Sequence, residues 1–283
     1  MKCKNILLPI TIITFGLSVA LMGSELFSSR RALKPTSIVS QNYNKVQKVR
    51  SGNLADSDLS NITASNDTES DVMVTDAISS STNPVALEFL TAHPEAAEYV
   101  AGFDRYAGSV FDTNVGSEVK KGQIPLFIQW DKRWGYASYG QSYIGISGCG
   151  PTCLSMVVCG LKGDGSATPY DVSKYAEKSG FYIAGQGTSW SLMTAGAVHY
   201  GLKFTNGSVS AGYILGNLSE KTPMICSMKP GDFTAQGHFI VLTGIDKEGR
   251  IIINDPVSPL NSSKHWSVDA LIPQIKNIWK YSY

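Results

Sequence analysis

The feature that most constrains this 283-residue chain is a tight turn followed directly by a long apolar run. Gly148, Cys149, Gly150 and Pro151 form the turn. Proline is favoured in the first turn of a helix, where its missing N–H group would have no partner. The pattern therefore predicts an apolar helix that begins at about Gly150 and ends near Gly160, with Cys149 at its N-terminus.

The position of Cys149 suits a nucleophile. A helix N-terminus concentrates unpaired N–H groups and the positive end of the helix dipole, which together favour the thiolate form of a cysteine. The glycines on either side would allow a second backbone to approach the sulfur closely. A buried structural cysteine at a helix start would have the same local sequence. The turn alone therefore leaves both interpretations open.

Charge and composition exclude several functional classes. The chain has 24 basic and 23 acidic residues, so nothing favours a nucleic-acid partner. It has no C-x-x-C pair and its four histidines are scattered, so we expect no metal site and no cofactor. We expect His93 to be a capping or surface residue. The remaining cysteines of the domain are expected to be packing residues: Cys153, Cys159 and Cys226.

The first 83 residues lack the pattern of a folded domain. Lys2 and Lys4 precede an apolar run over residues 6–22, which is typical of a secretory signal. We expect residues 1–24 to be a signal peptide or a membrane anchor. The protein would then be extracellular, either secreted or tethered to the outer face of the cell membrane by residues 6–22. Residues 25–83 are rich in Ser, Asn and Asp, which predicts a disordered linker.

The rest of the chain changes from helical patterns to strand patterns. Residues 84–121 contain short helical pieces and are expected to form a helical lead-in. In residues 122–283, helical patterns come first and β-branched runs follow. The predicted strands are 223–228, 237–245 and 250–254, with an edge strand at 278–281. N-terminal helices followed by a C-terminal antiparallel sheet give an α+β fold.

The predicted hairpin brings two polar residues together. His238 opens one strand and Asp255 follows the next, so antiparallel pairing sets them side by side. A carboxylate that holds one imidazole nitrogen fixes the tautomer of a histidine base. With Cys149 as nucleophile, these residues would form a catalytic triad, and Asn254 is a second candidate for the orienting role. Singly, His238 could be a strand-end histidine satisfied by water, and Asp255 a turn residue before proline.

Four segments of the sequence resemble the C39-like family of papain-fold cysteine peptidases. They are 129–135, 148–152, 237–244 and 254–256, and they occur in the family's order. The resemblance spans about residues 122–283. It implies a papain-like α+β fold with Cys149, His238 and Asp255 as the triad. Domains of this kind commonly occur on exported bacterial proteins.

The oxyanion-stabilising residue is the point at which the sequence departs from this pattern. A side-chain amide can polarise the substrate carbonyl. In many papain-like enzymes the glutamine lies only a few residues before the nucleophile. Here Gln129 is 20 residues before Cys149 and Gln141 is eight residues before it. We favour Gln129.

Three functions are compatible with these patterns. The first is an exported thiol peptidase that hydrolyses peptide bonds through an acyl-enzyme. The second is an endopeptidase or amidase that acts on cell-wall peptides. The third is a non-catalytic surface domain that binds peptide or wall in a groove lined by Trp130, Trp134 and Trp190. In each case we expect a monomer with a peptide or protein partner, and membrane contact only through the N-terminal segment.

Overall fold

The structure, a computed structural model, describes residues 69–283. The predicted signal peptide or anchor (1–24) and most of the predicted linker lie outside the described residues. Within the described part, no helix has the length and apolar character needed to cross a membrane.

Helices make up most of the described chain before residue 200. In chain order, the helices are α1 (Glu69–Ser80), α2 (Pro84–Ala92), α3 (Ala97–Ala101), α4 (Phe103–Tyr106), α5 (Ile144–Ser147), α6 (Cys149–Lys162), α7 (Pro169–Lys178), α8 (Ala197–His199), α9 (Ala211–Asn217), α10 (Pro259–Ser262) and α11 (Val268–Leu271). A π-helical segment, Leu192–Gly196, precedes α8, and short 3-10 helices occur at Pro94–Ala96, Gly116–Glu118 and Ile272–Gln274.

The strands form one large sheet and two small hairpins. In chain order, they are β1 (Ser138–Tyr139), β2 (Ser142–Tyr143), β3 (Tyr182–Ile183), β4 (Gly187–Thr188), β5 (Lys203–Gly207), β6 (Met224–Met228), β7 (His238–Ile245), β8 (Ile251–Asn254), β9 (His265–Trp266) and β10 (Ile275–Ser282). The six-stranded sheet has the order β5-β10-β6-β7-β8-β9, and all its pairs are antiparallel. The α+β prediction is therefore confirmed. The last strand was wrongly predicted at an edge, because β10 pairs with both β5 and β6.

Helix α6 is the central helix of the domain, and its sequence explains both of its ends. Pro151 lies in its first turn, where a missing N–H group is tolerated. The helix ends at Lys162, two residues beyond the predicted end, because Gly163 adopts φ 76° and closes it. Residues 150–161 are all buried, and the helix packs against β7 and α7. The N-terminus of α6 is thereby fixed against the start of β7.

The sheet is covered on both faces. Side chains of one face pack against α6, including Ile225, Phe239 and Val241. The alternate side chains of the same strands belong to a second apolar cluster, which includes residues of α9 and α11. Strand β7 is therefore buried over its whole length except at its last residue.

We call α1 to α4 the helical layer. Its apolar side chains form a separate cluster, which Tyr136 of the following domain joins. The linker prediction is wrong from residue 69 onward, because α1 is an ordered helix. Val74, Ala77 and Ile78 recur at helical spacing and are buried in this cluster. The polar composition predicted that the entropy cost of ordering would keep this segment disordered. Packing against the other helices offsets that cost.

Candidate active site

Cys149 is the first residue of α6, and it is partly exposed while the next three turns of the helix are buried. The turn before it is tightly packed. A Cβ on Gly148 would lie 2.5 Å from the Ile144 carbonyl oxygen, and one on Gly150 would lie 2.8 Å from the Thr188 Cβ. The glycines are therefore required by close contacts on either side of the thiol, one of which is a side chain of β4 rather than the expected second backbone.

His238 and Asp255 are hydrogen-bonded neighbours, as the hairpin geometry predicts. His238 begins β7 and Asp255 directly follows β8, and the His238 Nε2 to Asp255 Oδ1 distance is 2.7 Å. Both side chains are buried, Asp255 completely. The Asp255 carboxylate also accepts hydrogen bonds from the Val257 N–H at 3.0 Å and from Asn261 Nδ2 at 3.0 Å. These contacts fix the carboxylate and, through it, the imidazole ring.

Electrostatics hold this pair in its charged form. Burial lowers the pKa of His238, but the charge and hydrogen bond of Asp255, followed by a hydrogen bond with the Cys149 side chain, raise it to about 10. Burial would raise the pKa of Asp255, yet the charge and hydrogen bond of His238 and the donors Asn261 and Val257 keep it below its ordinary value. At neutral pH the pair is therefore an imidazolium bound to a carboxylate, with the Cys149 side chain next to it.

The free energy of unfolding should fall as the pH rises from about 6.5 to about 10. Folded His238 keeps its proton up to a pKa of about 10, whereas the ordinary value is 6.5. Its contribution to stability is therefore fully present below pH 6.5 and is lost as the pH rises through the folded pKa. Urea unfolding across this range measures the slope. Asp255→Asn should flatten it and His265→Gln should not. An unchanged slope in Asp255→Asn would contradict the assignment.

Gln129 and Gln141 occupy very different surroundings. Gln141 is exposed in the turn between β1 and β2. Gln129 is buried, and its Nε2 donates a hydrogen bond at 2.8 Å to the carbonyl of Gly145, four residues before Cys149. Its Oε1 is buried without a hydrogen-bond partner. Of the two amides, only that of Gln129 is tied to the turn that carries the thiol.

Asn254 points away from the pair. Its Nδ2 donates to the Pro125 carbonyl at 2.9 Å, which joins the end of β8 to the extended segment before Gln129. On a strand, neighbouring side chains face opposite sides of the sheet, so Asn254 and Asp255 cannot both face His238. Of the two candidates for the orienting role, the geometry favours Asp255.

The structure alters the predicted tryptophan groove. Trp134 is fully buried, its Nε1 donates to the Ile128 carbonyl at 2.9 Å, and it belongs to the main core. It therefore does not line a groove. Trp130 is partly buried and donates to the Val257 carbonyl at 2.9 Å, and Trp190 remains 41% exposed.

The other cysteines, Cys153, Cys159 and Cys226, are free and buried, in agreement with a packing role.

A second histidine, His93, lies close enough to the pair to be affected by its charges, and no sequence pattern predicted this proximity. The main-chain N–H of His93 ends α2 by donating to the Phe89 carbonyl at 3.0 Å. Its ring, however, is half-buried and packs on Phe89, with ring centroids 4.7 Å apart. Burial, followed by the charge of His238, lowers the pKa of His93 to about 4, against an opposing effect of Asp255. Only tertiary docking of the helical layer brings residues 93 and 238 together.

Among residues 69–283, no group of three or more His, Cys, Asp or Glu side chains is arranged to hold a metal ion. The chemistry that these residues can perform is instead nucleophilic. A partly exposed thiol at a helix N-terminus lies next to an imidazolium, which a buried carboxylate orients. This is the set of groups that covalent catalysis by cysteine requires.

Comparison with known proteins agrees with this chemistry. The sequence profile of the Peptidase C39 like family matches residues 121–283, which is more than half of the chain and begins one residue before the predicted domain boundary. No curated protein matches the sequence at a significant level. The matched region contains Cys149, His238 and Asp255. The chain therefore belongs to the Peptidase C39 like family.

Proposed function

We propose that the protein is a cysteine peptidase with a papain-like arrangement, in which Cys149, His238 and Asp255 form the catalytic triad. The observation that carries the proposal is a continuous chain of contacts. The Cys149 side chain lies close enough to His238 to raise the pKa of the imidazole, and His238 Nε2 lies 2.7 Å from the buried Asp255 carboxylate. Family membership supports the same reaction class, peptide-bond hydrolysis.

In the proposed mechanism, the Cys149 thiolate attacks the carbonyl carbon of the scissile peptide bond. The backbone N–H of Cys149 and the Gln129 side-chain amide stabilise the oxygen that becomes negative. Gln129 Nε2 uses one hydrogen for the Gly145 carbonyl and retains another for this purpose. His238 then gives its proton to the leaving amine, and a thioester joins the acyl group to Cys149.

Hydrolysis of the thioester completes the cycle. His238, now neutral, removes a proton from a water molecule that attacks the thioester carbonyl. The carboxylic acid product leaves, the Cys149 thiolate returns, and His238 regains its charge. Asp255 keeps the imidazole in one orientation through both halves, because three donors fix the carboxylate: His238, Val257 and Asn261.

Alkylation by iodoacetamide at neutral pH tests this proposal. Cys149 is partly exposed, whereas Cys153, Cys159 and Cys226 are buried, so within residues 69–283 we expect one label, at Cys149. The labelled protein should lose hydrolysis of a random peptide library, and protein unfolded in urea should take up label at the other cysteines. Hydrolysis at the unlabelled rate by protein alkylated at Cys149 would refute Cys149 as the nucleophile and with it the cysteine peptidase mechanism. Binding of library peptides without any cleavage by the unlabelled protein would favour the non-catalytic function.

The same preparation separates the two substrate classes. Cleavage products from the library identify a peptidase for ordinary peptides. Release of peptides from purified peptidoglycan, with no cleavage of protein substrates, would instead identify a cell-wall peptidase.

We also propose that the protein acts outside the cytoplasm. The support is the sequence of the N-terminal segment, in which Lys2 and Lys4 precede the apolar residues 6–22. Fractionation of cells that produce the full chain tests the location. Recovery of the protein in the cytoplasmic fraction alone would refute it, and recovery in the membrane or medium would separate tethering from secretion.

A further inference from the structure

We propose that His93, which lies before the family-matched region, is a substrate-binding residue that hydrogen-bonds the peptide backbone on the leaving-group side of the scissile bond. The proposal rests on the proposed peptidase function and extends it to the helical layer. The layer would then supply one wall of the substrate cleft as well as structural support.

His93 lines a cleft of about 210 Å³ between the helical layer and the loops that follow β6 and β8. Ligand pockets commonly exceed this volume, so its size is that of one subsite in a longer groove. The lining includes Ala92, His93 and Glu95 on one side and Phe233, Ser258 and Asn261 on the other.

Hydrogen bonds connect this cleft to the proposed triad. The Ser258 hydroxyl donates to Glu95 Oε1 at 2.7 Å, and Ser258 Oγ accepts a hydrogen bond from the Asn261 N–H at 3.2 Å. Asn261 Nδ2 in turn donates to Asp255 Oδ2 at 3.0 Å. These hydrogen bonds connect the helical layer to the cleft wall. They also connect the cleft wall to the carboxylate that orients His238. A ligand in the cleft would lie next to Asn261, one hydrogen bond away from Asp255.

The His93 ring suits a peptide group. Within residues 69–283, neither ring nitrogen has a hydrogen-bond partner, although the ring is half-buried against Phe89. The low pKa of about 4 keeps the ring neutral at physiological pH. A neutral imidazole has one N–H donor and one nitrogen acceptor, which match the C=O and N–H groups of an extended peptide.

The chemistry of the proposed reaction determines which half of the substrate lies there. The acyl half stays bonded to Cys149, whereas the amine half leaves after it takes a proton from His238. The cleft is lined by Asn261, which hydrogen-bonds Asp255, and Asp255 in turn hydrogen-bonds His238, the residue that protonates the leaving amine. The leaving amine and the residues after it are therefore the part of the substrate that His93 contacts.

The test compares two substrates that share the residues before the scissile bond. One is a peptide from the library that continues for three residues beyond the bond, and the other ends there in a coumarin amide. In His93→Ala, kcat/KM for the extended peptide should fall roughly tenfold, as expected for a lost hydrogen bond at a partly buried site. The value for the coumarin amide should stay within about twofold, since that substrate has no peptide group to bind.

Two further variants keep the result interpretable. His93→Gln retains one donor and one acceptor and should recover much of the lost kcat/KM. His199→Ala removes a histidine that stacks on Tyr175 in the domain, with ring centroids 3.9 Å apart, and should act alike on both substrates. Calorimetry supplies a second readout, in which the free leaving-group peptide binds the wild type and His93→Gln but not His93→Ala.

Equal losses on both substrates, or no loss on either, would overturn the role of His93 while leaving the peptidase assignment intact. Binding of the leaving-group peptide to His93→Ala with unchanged affinity would also overturn it. If the protein is not a peptidase, the experiment gives a different result, because the wild type would then cleave neither substrate.

Discussion

Replacing Cys149 by alanine should lower kcat/KM for peptide hydrolysis on the order of 10⁴-fold or more, since removal of a covalent nucleophile leaves only binding and carbonyl polarisation. The fold should be unaffected, because the side chain is partly exposed at the first residue of α6. Peptide affinity should also be retained. Steady-state kinetics on a cleaved library peptide, with calorimetry for binding, would measure both quantities.

The matched control for this variant is Cys159→Ala. Cys159 lies on the same helix, but its thiol is buried and donates to the Ala167 carbonyl at 3.4 Å. We expect a small loss of stability and no change in kcat/KM. Cys149→Ser is a second useful variant, because it keeps the size of the side chain and removes the sulfur. Hydrolysis by Cys149→Ala at the wild-type rate would exclude Cys149 as the nucleophile and with it the proposed mechanism.

Deleting the helical layer should abolish folding of the remaining chain. The cluster within the layer buries large side chains that include Leu87, Leu90 and Phe103, and burial of each contributes about 1.5–3 kcal/mol. Loss of these three contributions, about 4.5–9 kcal/mol together, is comparable to the usual stability of a domain, about 5–15 kcal/mol. It would also uncover the apolar partner Tyr136. A chain of residues 108–283 should therefore show no cooperative urea transition by circular dichroism.

The appropriate control is a chain of residues 69–283, which retains every described member of the cluster. It should unfold cooperatively. A gentler variant is Phe103→Ala, which should destabilise the protein by about 3–5 kcal/mol because its side chain is completely enclosed. Phe111→Ala, at a site 37% exposed, should cost far less. Cooperative unfolding of the chain 108–283 with wild-type stability would show that the layer is dispensable.

The His238–Asp255 hydrogen bond could be predicted from the sequence because it depends on local pairing. A short hairpin fixes which ends of two consecutive strands are neighbours, although the register of β7 with β8 shifts once, between Leu242 and Gly244. The helix behind Cys149 was similarly predictable from Pro151 and the apolar run. The roles of these residues in catalysis stay predictions that the experiments above test.

Contacts between distant segments could not be predicted in this way. Strand β10 lies between β5 and β6, and its hydrogen-bonding partners come from segments that are not its neighbours in sequence. The helix α1 has only three buried apolar positions, which a Ser- and Asp-rich background obscures. The proximity of His93 to His238 depends on docking of the whole layer. Each of these features depends on tertiary packing that local propensity does not encode.

The burial of β7 has a consequence for the motions of the protein. Both neighbours of β7 are strands, both of its faces are covered, and His238 is its first residue. Amide protons in such a strand exchange with solvent only through openings close to global unfolding. His238, the proposed base, is therefore carried on what we expect to be one of the slowest-exchanging parts of the described chain.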